Sequence, residues 1–132
     1  MIGVLVPAFV TANFDNPLHL NSDRVKFQTK DPTYVRVQRI DFSAGGKSGW
    51  HHHPGIVIVA VQSGTVTFTH SDCSSKTYGP PTAVFVEGDD DPGQASSTTG
   101  AIVYATFVAP NEGPVTSTTF RTDDPAPTPS CP

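Results

Sequence analysis

The chain has 132 residues and a mass of 14.0 kDa, which suits one domain that can bury most of its apolar surface in a single core. Only 15% of its residues are charged and its formal net charge is −4, so no basic stripe is available to neutralise nucleic-acid phosphates or anionic lipids. No apolar run approaches the roughly 18 to 20 residues that span a bilayer. The sequence therefore predicts neither a nucleic-acid partner nor a membrane partner.

The composition is typical of an all-β protein. Thirteen prolines and eleven glycines separate short segments rich in Val and Thr, at intervals too close for helices. We expect about nine short strands that form a two-sheet barrel or sandwich of the jelly-roll type.

The N-terminal segment 1–12 is apolar and predicts an edge strand that is interrupted near Pro7. An unprotected apolar strand promotes aggregation, so we expect it to pair within the barrel or to form a homodimer. A remnant of an export signal is the alternative interpretation, although no Lys or Arg precedes the apolar part. Segment 13–23 predicts a polar loop with His19 on the surface, and 24–29 predicts a half-exposed strand.

Segment 34–42 predicts a strand whose polar residues fall on both faces. Arg36 or Arg39 could therefore point inward, towards a ligand carboxylate. The alternative is an ion pair at the rim of the fold with Asp41 or Asp31, because charged side chains are seldom buried.

The histidines of the segment Gly49-Trp50-His51-His52-His53-Pro54-Gly55 are the main candidates for a functional site. On an extended strand, His51 and His53 point to one face and His52 points to the other. Two imidazoles on one face can bind a single Zn, Cu, Fe or Ni ion. A solvated loop that binds ions only opportunistically is the alternative.

The later segments also predict strands. Segment 56–61 is continuously apolar and predicts a strand that is buried on both faces. Segment 64–70 alternates and places His70 at the end of the inward row, either in solvent or as a third nitrogen ligand. Segment 101–109 predicts a long apolar strand, and 115–121 predicts a polar edge strand.

Cys73 and Cys131 are the only cysteines and predict a disulfide, with two free thiols as the alternative. The bridge would hold the Pro-rich tail 123–132 and would stabilise the fold by about 4 kcal/mol in the chain-entropy model. It implies an oxidising compartment, extracellular or periplasmic. The acidic segment 88–93, which contains three adjacent aspartates, predicts a solvated turn, with a Ca²⁺ site as the alternative.

One pattern around the histidines resembles a known family. Gly45, His51, His53 and Gly64 fit the first motif of the cupins, G-x5-H-x-H-x3,4-E-x6-G. The position of the motif's glutamate is occupied by Val57. Within the family, the segment is most similar to small secreted bacterial cupins, many of which also lack this glutamate.

The second cupin motif is degenerate in this chain. Its best counterpart spans 85–100, where Gln94 occupies the histidine position and Thr98 the asparagine position. The resemblance implies a cupin-like jelly-roll β-barrel with His51, His53 and Gln94 around a cavity. It also implies a single cupin domain over 1–132, made of N-terminal strands and a loop (1–32), a cupin core (33–110), and an edge strand with the Pro-rich tail (111–132).

Two principal hypotheses of function follow. The first is weak binding of a divalent Zn, Cu, Ni, Fe or Mn ion by His51, His53 and Gln94, as in a metal-dependent oxygenase or isomerase that acts on a small molecule. Without the glutamate, less negative charge offsets desolvation of the ion, so Cu²⁺, Ni²⁺ or Zn²⁺ is favoured. The second is a metal-free barrel that binds a small organic ligand, either without catalysis or as a lyase or cyclase in which a cavity histidine is the general base. A structural extracellular protein without chemistry is a third.

Overall fold

A computed structural model describes residues 1–88 and 90–132. Within these residues the regular structure consists of β-strands, and no helix is long and apolar enough to cross a membrane. The strands are β1 (Ile2–Phe14), β2 (His19–Ser22), β3 (Val25–Gln28), β4 (Thr33–Lys47), β5 (His51–His52), β6 (Ile56–Gly64), β7 (Val66–His70), β8 (Ser75–Tyr78), β9 (Val84–Glu87), β10 (Gly93–Ser97), β11 (Ala101–Pro110) and β12 (Thr122–Asp123).

The long strand β4 organises the sheet. It pairs antiparallel with β11 from Thr33 to Phe42 and with β1 along its other edge, and its last residues pair with β10. Ten strands form one antiparallel sheet that follows the order β12-β5-β10-β4-β11-β6-β9, with β1 attached to β4 and the β7–β8 pair attached to β10. The sheet curls into a nearly closed barrel, so the predicted all-β jelly-roll barrel is confirmed.

The N-terminal strand pairs within the chain. Its register against β4 shifts between Leu5 and Ala8, on either side of Pro7, as expected for a residue that cannot donate to the ladder. The side chains of Ile2, Leu5, Phe9 and Val10 remain mostly exposed on it. A homodimer through this strand stays a prediction.

A separate hairpin of β2 and β3 precedes the barrel core. The predicted polar loop over 13–23 is therefore wrong in part, because His19 belongs to β2, where its side chain is exposed. Four cross-strand pairs stabilise the hairpin, which the polar sequence of its first strand did not indicate.

The core lies on the inner face of the barrel. Its largest fully buried side chains are Val57, Val66 and Val103. The prediction that 56–61 is buried on both faces is wrong: Ile56 and Ile58 are each 39% exposed. Among the described residues, no second layer covers this part of the outer face, so one side of this continuous apolar run is exposed to solvent.

The predicted edge strand over 115–121 is also wrong. This segment forms turns in which Thr119 bonds to Thr116 through both its backbone and its hydroxyl, and such local bonds compete with a sheet ladder. Phe120 then turns inward, where it is buried against Phe107 and Tyr34. The turns thus return the chain to the barrel wall.

A disulfide joins Cys73, after β7, to Cys131 in the tail. The predicted pairing is confirmed, and it is compatible with an oxidising, exported location. Nearby, His70 is exposed and pairs with Asp91 at 3.2 Å, so it is not a third ligand of the histidine pair. The Ca²⁺ alternative depends partly on Asp89, which lies outside the described residues.

Candidate metal centre

Two glycines define the short segment that carries the histidines. Gly49 has a φ of +76° and Gly55 a φ of +79°, a backbone conformation that favours glycine. A Cβ at Gly55 would also clash with the carbonyl oxygen of Val108 on the adjacent β11. The chain therefore turns sharply before and after the histidines, and only a two-residue strand, β5, lies between the turns.

The three histidines alternate between the two faces of the barrel wall. His51 and His53 are 6% and 7% exposed, and their ring centroids lie 4.7 Å apart. His52 faces the other way, where its Nδ1 is 2.7 Å from the Asp124 carboxylate. The structure thus brings together the two histidines that the period-two pattern predicted to share a face.

Backbone carbonyls fix the orientation of both inner imidazoles. The Nδ1 of His51 lies 2.8 Å from the carbonyl oxygen of Gly49, and the Nδ1 of His53 lies 2.6 Å from that of Phe120. A carbonyl oxygen only accepts hydrogen bonds, so Nδ1 carries the proton in each ring. Each Nε2 then keeps its lone pair, which is the arrangement that metal-binding histidines commonly have.

Glu87 supplies a third group. It is the last residue of β9 and stands directly opposite Val57 in the antiparallel pair of β6 and β9. Opposite residues in such a pair project to the same face, and Val57 is fully buried on the inner face. The Glu87 carboxylate thereby joins His51 and His53, with one ligand atom from each residue within 4.8 Å of the others.

The Nε2 atom of His53 is buried and has no hydrogen-bond partner among the described residues. It lies 3.4 Å from Oε2 of Glu87. A nitrogen lone pair and a carboxylate oxygen repel each other at this distance. The contact is therefore stable only if a proton or a cation lies between the two atoms. A tetrahedral ion with bonds of about 2.0 to 2.1 Å separates its ligands by about 3.4 Å, so this pair fits a metal ion.

Burial also keeps His51 in the form that binds metals. The pKa of His51 is lowered from 6.5 to about 4, mainly by desolvation and to a smaller extent by Arg121 and His53, while the hydrogen bond to Gly49 and the charge of Glu87 oppose the shift. At neutral pH this imidazole is therefore uncharged. Two neutral imidazoles and a carboxylate form a donor set that could hold a divalent metal.

The three residues line a cavity of about 320 Å³ inside the barrel. Its walls are mostly apolar and include the inward side chains of β4, β6 and β11, for example Ile40, Val59 and Phe107. Polar groups, among them Arg36, Gln38 and Ser48, interrupt this lining at a few points. A cavity of this size and composition is typical of sites that bind small molecules.

Comparison with known proteins bears on the fold. No protein-family model matches the sequence, and no curated protein is significantly similar to it. Among solved structures, the chain is similar to a DMSP lyase from the structures of RdDddP and RnDddQII, with a TM-score of 0.55 and 16% identity over 74% of this chain and 46% of that one.

The chain has the cupin fold.

Two other cupin-fold structures are similar over a shorter part of the chain. Salicylate 1,2-dioxygenase from Pseudaminobacter salicylatoxidans aligns with 14% identity over 55% of this chain and 20% of its own, at a TM-score of 0.49. Oxalate oxidase aligns with 21% identity over 55% of this chain and 40% of its own, at a TM-score of 0.45. This chain spans less than half the length of each of the three proteins.

The cupin barrel does not place every predicted ligand beside the histidines. Gln94 on β10 pairs with Thr69, which lies on the outward row of β7, whereas its neighbour Ala95 lines the cavity. The alternation of a strand therefore directs the Gln94 side chain away from the cavity. Thr98 lies beyond the end of β10, and it is not among the residues that line the cavity.

Glu87 was not predicted from the sequence because the cupin motif places its glutamate shortly after the histidine pair, at the position of Val57. The signal that could have revealed it is the alternation of inward and outward side chains along β9. Phe85 is an inward core residue, so an acidic residue two positions later faces the cavity as well. The register of β9 against β6, which no local pattern specifies, then brings it opposite Val57.

Proposed function

We propose that this cupin binds a divalent transition-metal ion through Nε2 of His51, Nε2 of His53 and the carboxylate of Glu87, and that the ion acts on a small organic molecule in the cavity. The observation that carries this proposal is the buried Nε2 of His53, which has no hydrogen-bond partner among residues 1–88 and 90–132 and lies 3.4 Å from Oε2 of Glu87. Three protein ligands leave coordination positions open, as in catalytic rather than structural sites.

The donor set bears on the choice of metal. A carboxylate beside two imidazoles offsets the ion's loss of hydration better than histidines alone, so we expect tighter binding than the sequence suggested. Two histidines and one carboxylate suit Zn²⁺ and Fe²⁺. Either ion, once bound, would supply Lewis-acid chemistry, and iron would also supply redox chemistry.

The chain itself contributes orientation and exclusion of water. The carbonyls of Gly49 and Phe120 hold the two imidazoles, and the apolar walls limit the water that surrounds a bound molecule. The lyase activity named for the structural neighbour with a TM-score of 0.55 is consistent with a reaction on a small organic molecule in such a cavity.

The test is metal analysis of protein purified without a metal-affinity column. After treatment with a chelator, the protein is titrated with Zn²⁺, and separately with Fe²⁺ under anaerobic conditions, and the bound ion is quantified by mass spectrometry. We expect a stoichiometric site in the wild type and in the His52→Ala control. The double variant His51→Ala/His53→Ala should lose it. The proposal would be disproved if the double variant still bound stoichiometric metal, or if the wild type bound none.

The contact between His53 and Glu87 also favours a second candidate, a metal-free cavity in which a proton lies between the two side chains. In that case His53 and Glu87 form a general acid/base pair for a lyase or cyclase reaction. Nitrogen NMR of the histidine side chains distinguishes the two. A protonated His53 ring that does not respond to Zn²⁺ supports the metal-free cavity, and a neutral ring whose Nε2 signal shifts with Zn²⁺ supports the metal centre.

A further inference from the structure

Two arginines line the cavity, and they differ in their partners. Arg121 is engaged, because its Nε bonds to Asp123 at 2.7 Å and its Nη2 donates to the carbonyl oxygen of Ser48 at 2.6 Å. Arg36 forms no ion pair with any described acidic residue. A cation on the wall of a mostly apolar cavity therefore has no counter-ion in the described part of the chain.

The guanidinium of Arg36 is nevertheless held in position. Its Nε donates to Oγ1 of Thr11 at 2.8 Å. Its Cζ lies 4.7 Å from the ring centroid of Phe9 and 4.2 Å from that of Phe120. Two aromatic contacts and one hydrogen bond fix the plane of the group, whereas no described residue accepts a hydrogen bond from Nη1 or Nη2.

The position of Arg36 relates it to the metal centre through a single residue. The ring of Phe120 packs against the guanidinium, and the carbonyl oxygen of Phe120 accepts the hydrogen bond from His53. Phe120 is buried, whereas Phe9 is 62% exposed. Arg36 therefore lies where the cavity wall meets the surface, with the His53 side of the site beyond Phe120.

Loss of water is the main influence on this arginine. Desolvation lowers the pKa of Arg36, although a guanidinium remains positively charged at neutral pH. A carboxylate that replaced the lost water would accept two parallel hydrogen bonds from the free Nη groups, a geometry that phosphate and carboxylate groups share.

We infer that Arg36 binds the carboxylate of a small, otherwise apolar organic acid whose body lies in the cavity. The apolar walls favour a body without further charges, which distinguishes an organic carboxylate from inorganic phosphate. Any reaction of the bound acid rests on the proposed function, because the end of the molecule opposite its carboxylate would face the metal centre. Binding of the acid itself requires only the cavity and Arg36.

The experiment uses benzoate as the probe and benzamide as its uncharged analogue, on the full chain after removal of metal with a chelator. Calorimetry or NMR titration at 0.15 M salt (about the physiological ionic strength) gives the two affinities. We expect the wild type to prefer benzoate by about 10- to 100-fold, the usual effect of a charge-assisted pair of hydrogen bonds. The Arg36→Gln variant should lose this preference.

Arg39 provides the matched control, because it lies on the same strand and pairs with Asp41 at 2.7 Å. Arg39→Gln should keep the preference for benzoate. Arg36→Lys, which keeps the charge but loses the planar fork, should retain only part of it and shows whether loss of binding merely reflects misfolding.

Several outcomes overturn the inference: no benzoate binding in the wild type, equal affinity for benzoate and benzamide, equal effects of Arg36→Gln and Arg39→Gln, or displacement of benzoate by an equal concentration of inorganic phosphate. Because metal is absent throughout, these outcomes are independent of the metal titration. Zn²⁺ binding without a preference for benzoate would contradict only the role of Arg36. A preference for benzoate without Zn²⁺ binding would contradict only the proposed metal centre.

Discussion

The inner and outer faces of the barrel wall are built from the same strands and yet lie in different environments. On the inner face, β6 contributes Val57, Val59 and Val61, all buried. On the outer face, the intervening residues Ile56 and Ile58 are 39% exposed. A shift of one residue along a strand therefore moves a side chain from the cavity to solvent, although the composition of the two rows is similar.

The same contrast applies to the polar groups. His51 and His53 converge on Glu87 inside the barrel, whereas His52 pairs with Asp124 outside it. Residue type alone thus does not identify the site. The alternation of residues along a strand identifies it, because only every second side chain faces the cavity. Substitutions at neighbouring inner and outer positions can test how far this rule extends.

The largest expected difference concerns the core residue Phe107, which packs against His53 and Phe120. Phe107→Ala should lower the free energy of unfolding by about 3 to 5 kcal/mol, because the substitution leaves a void against a packed wall. Tyr104→Ala, on the 42% exposed outer row of the same strand, should cost less than about 1 kcal/mol. Urea denaturation of both variants measures the difference, and equal losses would contradict it.

Acid should destabilise the metal-free protein through His51. Its pKa is about 4 in the folded chain against 6.5 as the ordinary value, so between these pH values the unfolded chain binds a proton that the folded chain excludes. The free energy of unfolding should therefore fall as the pH decreases from 6.5 to about 4, by about 3 kcal/mol. His51→Gln should remove this part of the pH dependence, and His52→Gln should retain it. Denaturation curves over a pH series, in the presence of a chelator, provide the measurement.

The carboxylate should be transferable between adjacent strands. Glu87→Val should weaken Zn²⁺ binding by about 100-fold or more, because it removes a ligand. Val57→Glu/Glu87→Val places the carboxylate directly opposite its original position and should recover at least about 10-fold of this loss. Ile58→Glu/Glu87→Val, with the new carboxylate on the outer face, should recover none. Competition with a fluorescent chelator gives the affinities, and equal recovery in both double variants would refute the prediction.

The smallest expected difference tests burial of a single hydroxyl. Val61→Thr introduces a polar group at a position that is 6% exposed and should cost about 1 to 3 kcal/mol. Ile58→Thr places the same hydroxyl on the wet outer row and should cost less than Val61→Thr. Thermal denaturation compares the two variants under identical conditions.

Much of the fold could be predicted from the sequence, because it depends on local patterns. Glycines and prolines mark the turns, and alternation predicts that His51 and His53 share a face. The predictions failed where distant segments decide the outcome. Whether 56–61 has one or two covered faces depends on what packs outside the barrel. The prediction for 115–121 failed for a different and local reason, because hydrogen bonds between Thr116 and Thr119 form turns in place of a strand.

The site itself could be predicted only in part, for the same reason. Alternation is a property of one strand, so it indicated the histidine pair. The pairing of Val57 with Glu87 depends on the register of two strands that are separated by β7, β8 and their loops. The linear motif aligns Gln94 with the histidine position, whereas the alternation of β10 presents its neighbour Ala95 to the cavity instead.

The location of Glu87 has a consequence for how such sites are recognised and for how they can evolve. Two residues that stand opposite each other on paired strands can both reach the same ion. A protein can therefore lose the acidic residue from one strand during evolution and keep the metal site, provided that the opposite position has gained an acidic residue. A search for such sites should therefore combine the histidine pair with an acidic residue at either of two opposite positions on paired strands. A linear sequence motif alone does not describe this arrangement.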